Sequence, residues 1–168
     1  VTPELALTGY SPEDLLLRDS FYTAVNQGLD ALLDLDGITL VIGHPVKIGQ
    51  ERFNAATVMR DGHRLGQYHK MLLPNDEVFD ECRYFTPGAA PLVVEVAGTQ
   101  VGILICEDMW HVEPAAEAAL RSVCDVETKL ASTALFDRKD NYHVIRVFTG
   151  LEVNVNVAEE AYALKSAE

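Results

Sequence analysis

Val101-Gly102-Ile103-Leu104-Ile105-Cys106-Glu107-Asp108-Met109-Trp110 decides how this chain of 168 residues is read. The first five positions form an apolar, partly β-branched run of the kind that becomes a buried strand. Cys106 ends the run and opens a polar corner. A thiol at a strand exit, followed by two acids, is exposed and rigidly held, and α/β enzymes present nucleophiles from such positions. The same residue also suits plain core packing, since unpaired cysteine is among the most buried residue types. Just upstream, Leu92 to Val96 and Gln100 to Ile105 flank Gly98-Thr99, which predicts a hairpin. Just downstream, the Ala-rich stretch Glu113 to Leu120, with Pro114 suited to its first turn, predicts a helix.

Farther out the same alternation continues. Ser11-Pro12-Glu13-Asp14 reads as a helix start, with Ser as cap, Pro at the first helical position and acids in the first turn. Asp19 or Ser20 is placed to cap a second helix. Its apolar residues Phe21, Ala24, Val25, Leu29, Leu32 and Leu33 recur at helical spacing, and Gly37 ends it. Ile38 to Ile42, apolar but for Thr39, predicts a buried strand parallel to its neighbours. Phe53 to Met59 and His63 to His69 flank Asp61-Gly62, a strong hairpin signal. Leu72 to Gly88 is a long mixed loop. Val126 to Ser132 predicts a short strand, Leu151 to Val157 a strand with one polar face, and residues 158–168 a helix. Asn141 to Thr149 is ambiguous. The fold class is α/β with a mixed sheet.

Composition narrows the function. Thirteen Lys and Arg against 26 Asp and Glu give a net charge of −13, which argues against nucleic acid or an anionic membrane as the main partner. Three cysteines without C-x-x-C spacing argue against a disulfide framework and for a reducing, cytoplasmic compartment. No apolar run approaches the roughly 20 residues that span a bilayer. Five histidines lack any H-E-x-x-H pattern, so no metal site is expected. G-x-S-x-G and G-x-G-x-x-G are absent, leaving serine-hydrolase and dinucleotide readings unsupported.

A thiol nucleophile needs a base to take its proton and a cation or donor to hold the oxyanion formed on attack. Glu4 lies between Pro3 and the apolar, small-residue segment Leu5-Ala6-Leu7-Thr8-Gly9, where a carboxylate partly withdrawn from water makes a usable base. Lys70 follows a predicted strand and precedes Met71-Leu72-Leu73-Pro74, where an ammonium can reach a buried oxyanion. Each also reads as an ordinary surface charge when taken alone. Cys82 and Cys124 lack the strand-exit context.

Together, Pro3-Glu4-Leu5, Tyr68-His69-Lys70-Met71-Leu72-Leu73-Pro74-Asn75 and Ile105-Cys106-Glu107-Asp108-Met109-Trp110 resemble the three motifs of the nitrilase (carbon–nitrogen hydrolase) superfamily. The segment Leu5 to Arg18, Val78-Phe79-Asp80-Glu81 and Arg83-Tyr84-Phe85-Thr86-Pro87-Gly88 resemble more closely one branch, the glutaminase domains of glutamine-dependent NAD synthetases. The resemblance implies an αββα sandwich, here a partial one over residues 1–157, and residues 158–168 read as a separate C-terminal helix. It implies Cys106 as nucleophile on the glutamine side-chain amide, Glu4 as base and Lys70 as oxyanion donor. Glu81 would bind the substrate ammonium or orient Lys70. Tyr10 and Trp110 would line the pocket, and Ser132 would help bind glutamine. Released ammonia would pass to a separate NAD synthetase domain, where ATP and Mg would be used. No cofactor is expected on this chain, and a homo-oligomer is expected.

The chain also departs from that pattern. The strand expected before Pro3-Glu4 and the late strands after Val157 are missing, which would leave backbone groups of the central sheet unpaired. After Trp110 only scattered pieces agree. Asp76-Glu77 stands where the branch has Tyr-Gly, and Leu130 where it has Asn. Two other readings therefore stay open, another amidase of the superfamily and a non-catalytic scaffold of the same fold.

Overall fold

The computed structural model describes residues 1–75, 79–130 and 143–146, with side chains through residue 121. Helix α1 (Asp19–Leu32) places Val25 and Leu29 on one buried face, against Ile42 and Met59. Strands β1 (Thr39–Ile48), β2 (Glu51–Arg60) and β3 (His63–His69) form one antiparallel sheet in that order. The hairpin at Asp61-Gly62 is as predicted, with φ of +46° and +76°, the left-handed pair that primed turns require.

The run at Ile38 to Ile42 becomes part of β1, but the strand is antiparallel to β2, with Val41 opposite Val58 and Ile42 opposite Thr57. The prediction of a parallel strand fails for a physical reason. Continuous burial needs only that both faces be covered, and here α1 covers one face and a second sheet the other. Ile42 and Met59 face the helix, while Val41, Ala56, Val58 and Tyr68 face the second sheet.

That second sheet holds β4 (Leu92–Val96), β5 (Thr99–Leu104) and β6 (His143–Arg146), with β5 antiparallel to β4 and parallel to β6. The β4–β5 turn is Ala97-Gly98, at φ +50° and +80°, one residue earlier than predicted. Val94, Val101, Ile103, Leu104 and Ile105 complete the core between the sheets. Helix α2 (Val112–Leu130) covers the outer face of the second sheet, and its Ala118 packs against Gly102 closely enough that a Cβ there would sit 3.2 Å away. The layers therefore run α1, sheet, sheet, α2, the αββα order.

Three other local expectations are corrected. Ser11-Pro12 leads into a five-residue 3-10 turn, Glu13–Leu17, with Pro12 at its cap position and no side-chain cap. Arg18, in an extended conformation, caps α1 without a side-chain hydrogen bond, so neither Asp19 nor Ser20 caps it. Residues 126–130 continue α2, because an established helical hydrogen-bond ladder outweighs the β-propensity of Val126 and Thr128. At the other end, Thr2 N–H donates to Val41 O (2.9 Å), Leu7 N–H to Gly43 O (3.0 Å) and Gly43 N–H to Thr2 Oγ1 (3.2 Å). The N-terminal segment thus lies along the outer edge of β1 and pairs with it at Val41 and Gly43. Among the described residues, no helix is long and apolar enough to cross a membrane. The predictions for Asp76-Glu77, Ser132, the 151–157 strand and the 158–168 helix fall outside the described residues.

Candidate active site

Three chain segments meet at one buried cluster. Glu4 sits in a turn on the edge of β1, closed by Ala6 N–H donating to Pro3 O (3.2 Å). Gly43 backs this turn so tightly that a Cβ there would lie 2.5 Å from Pro3 O and 2.7 Å from Leu5 N. Lys70 follows β3. Its N–H donates to Asn54 O and its carbonyl accepts from Gly88 N–H, both at 2.8 Å. Glu81 opens a short 3-10 turn, and its carbonyl accepts from the Tyr84 and Phe85 amides.

Lys70 is 0% exposed and Glu4 3%. The Lys70 ammonium donates to Glu4 Oε1 at 2.8 Å and to Glu81 Oε1 and Oε2 at 2.9 and 3.0 Å. One cation is thus shared by two buried carboxylates. Burial pulls the Lys70 ammonium toward its neutral form, but the two carboxylates outweigh this and hold its pKa above the ordinary value. Burial and the neighbouring Glu4 push Glu81 up, against the pull of Lys70. Tyr10, itself half exposed, donates its hydroxyl to Glu81 Oε1 at 3.5 Å.

Cys106 leaves β5 with φ +47°, a left-handed conformation costly for a residue with a Cβ. Its half-buried thiol is pushed up to about 11, first by desolvation and then by Glu4, with Lys70 opposing. The sulfur therefore shares the electrostatic neighbourhood of Glu4, Lys70 and Glu81, and it carries its proton at neutral pH. Trp110 stands at the end of the following turn and is 67% exposed. Cys82 is exposed, its thiol facing Leu73 O at 3.6 Å. Ser132 lies outside the described residues.

Two members of the cluster were missed in the sequence. Asn54, in the middle of β2, donates its side-chain amide to Glu4 Oε1 (2.6 Å) and Glu81 Oε2 (3.5 Å). The signal was a lone amide within a run of seven buried strand positions, where a polar group needs a partner. Asp108, fully buried, accepts four hydrogen bonds. Oδ1 receives the Met71 and Leu72 amides (3.1 and 2.7 Å), and Oδ2 receives the Tyr68 hydroxyl and the Ile105 amide (2.8 and 3.1 Å). It ties the segment carrying Lys70 to the residue before Cys106. Burial pushes the Asp108 carboxyl above its usual range despite these donors.

The cluster and the layers around it define a class. The carbon-nitrogen hydrolase family model matches residues 1–123, and the chain belongs to that family. It is 39% identical to the glutamine-dependent NAD(+) synthetase of Acinetobacter baylyi over 160 residues, 94% of this chain and 29% of that protein. This similarity reaches well past Trp110, farther than the motifs alone indicate. Among solved structures, the glutamine-dependent NAD+ synthetase of Acinetobacter baumannii, in complex with ADP, superposes with a TM-score of 0.69 at 38% identity, covering 72% of this chain and 23% of that one. A mutant form of an amidase of the nitrilase superfamily from Nesterenkonia AN1 superposes at 0.62 and 30% identity, covering 71% of this chain and 47% of that one. The chain spans 21% to 29% of the length of the first curated relatives it matches.

Proposed function

We propose that this chain is the glutamine-hydrolysing part of an NAD synthetase. Cys106 Sγ attacks the side-chain amide carbon of glutamine while its proton passes to Glu4. Lys70 donates to the oxyanion that forms. Glu4 returns the proton to the departing nitrogen, ammonia leaves, and a glutamyl thioester remains. Water, losing a proton to Glu4, then cleaves the thioester to glutamate and restores the thiol. A thiol with a pKa of about 11 needs such a base, since almost none is ionised at neutral pH. Glu81 holds Lys70 in place. Tyr10 and Trp110 border the substrate, and Ser132 contributes to binding it. The ammonia is consumed in a synthetase domain that uses ATP and Mg to activate deamido-NAD.

The observation that carries this reading is the fully buried ammonium of Lys70, bonded to two buried carboxylates within electrostatic reach of the Cys106 thiol. Burial and charge pairs that perturb titratable groups are concentrated at functional sites, and here they gather around a thiol at a strand exit. The test is glutamine hydrolysis by the purified protein, read as ammonia and glutamate. Cys106→Ala should abolish it, and a glutamine-mimicking electrophile should label Cys106 far faster than Cys82. Equal labelling of both would favour a non-catalytic scaffold. The likeness to the Nesterenkonia amidase supports a second reading, hydrolysis of another small amide, which a panel of amide substrates separates from the first.

A further inference from the structure

We propose that Asn54 is a positioning residue, whose side-chain amide pins one oxygen of Glu4 and leaves the other free to take the Cys106 proton. The reaction it serves is the one proposed above. Glu4 Oε1 accepts from both Asn54 Nδ2 (2.6 Å) and Lys70 Nζ (2.8 Å). Among the described residues, Oε2 accepts no hydrogen bond. Two donors on one oxygen fix the carboxylate's rotation, whereas one donor on a long flexible side chain does not. Of the charged groups around it, Glu4 contributes most to raising the Cys106 thiol, after desolvation.

The amide's orientation follows from charge. Reversed, Asn54 would set Oδ1 against two carboxylates, so Nδ2 faces them. Its Oδ1 is then buried with no donor. Proteins rarely retain such an orphan, and an apolar side chain at this point of β2 would avoid it. A neutral donor also suits the charge balance. A second cation would neutralise the carboxylate that must accept a proton, and an acid would add a third negative charge. Asn54 is itself held, since its main-chain carbonyl accepts from the Lys70 amide at 2.8 Å.

The experiment compares the parent with Asn54→Leu, of similar size without donors, and with Asn54→Ala. Three readouts are taken: kcat and KM for glutamine, the alkylation rate of Cys106 by iodoacetamide followed by peptide mass spectrometry, and thermal melting. The expected result is a kcat lowered roughly 10- to 100-fold with KM within about twofold, and Cys106 alkylation slowed by about tenfold, in a folded protein. A folded variant with kcat and alkylation within about twofold of the parent would overturn the proposal, as would a raised KM at unchanged kcat. If the Leu variant does not fold, the Ala variant carries the comparison. If neither folds, Asn54 is structural and the proposal fails. A parent that hydrolyses no glutamine refutes the glutaminase reading, while the alkylation rates still decide the role of Asn54.

Discussion

Replacing Asp108 by Asn changes the site by one atom type and tests whether a buried carboxylate holds the Lys70 and Cys106 segments together. In the parent, each oxygen receives two donors at 2.7 to 3.1 Å. An Asn keeps one acceptor and puts an NH2 group where the other was. The cheaper orientation leaves the oxygen with the Met71 and Leu72 amides. The Tyr68 hydroxyl can then rotate to accept from the new NH2, but the Ile105 N–H can only donate and is stranded. A stranded buried donor costs about 1–3 kcal/mol, and the surviving bonds lose their charge assistance, about 1 kcal/mol each. Removing a desolvated charge offsets part of this. We expect a net loss of about 2–4 kcal/mol, a fall in melting temperature of roughly 5–15 °C for a chain of this size. Turnover should fall further than stability, because the same bond steadies Ile105 beside the left-handed backbone of Cys106. Thermal melting and glutamine hydrolysis, both read well below the variant's midpoint, provide the check. A melting temperature within about 2 °C of the parent would refute the reasoning.

The sequence alone predicts that Lys70→Ala removes most activity, by the ~10²–10³ typical of an oxyanion donor, and leaves the fold intact. The structure revises the second half, since deleting the cation strands two buried carboxylates. Lys70→Met should cost about 3–5 kcal/mol at pH 7. Glu81, already raised by burial, would rise further above its unfolded value, so the deficit should shrink as pH falls through that folded value. Urea unfolding at pH 7 and pH 5 giving the same deficit would contradict this. Gly88→Ala places a Cβ 2.1 Å from His69 O, next to the Lys70 carbonyl that Gly88 N–H binds. It should destabilise by about 2 kcal/mol or more and lower kcat, and a variant matching the parent in urea titration would argue against that close approach. A Cys106 titration followed by carbon-13 NMR of its Cβ should have a midpoint of about 11, and a midpoint below an ordinary thiol's value would mean that Lys70 outweighs burial and Glu4.

Much of the fold was readable because its signals are local. The Asp61-Gly62 turn, the apolar run before Cys106 and the helical spacing from Phe21 to Leu32 each belong to a single element. Strand direction was not readable. Burial on both faces of β1 arises from what packs against it, and a sequence cannot distinguish a helix plus a second sheet from two layers of helices. The helical course of residues 126–130 was hidden by the β-branched Val126 and Thr128, whose intrinsic preference the helix overrides. Of the residues proposed for the site, Glu4, Lys70 and Cys106 could be singled out by their chemistry and Glu81 through the resemblance, and the structure places the Lys70 ammonium within hydrogen-bond reach of both Glu4 and Glu81. Asn54 and Asp108 escaped because their work is relational. Nothing in Arg52-Phe53-Asn54-Ala55 says that the amide reaches an acid fifty residues earlier.

The acid and the amine belong to the first sheet, Glu4 at the edge of β1 and Lys70 at the end of β3, whereas the sulfur leaves the second sheet at the end of β5. The groups proposed to react are thus assembled only while the apolar seam between the sheets stays shut. Low concentrations of denaturant that let the halves slide apart should silence the protein before circular dichroism registers any loss of helix or hairpin, making catalytic competence a sensitive gauge of the interlayer contact.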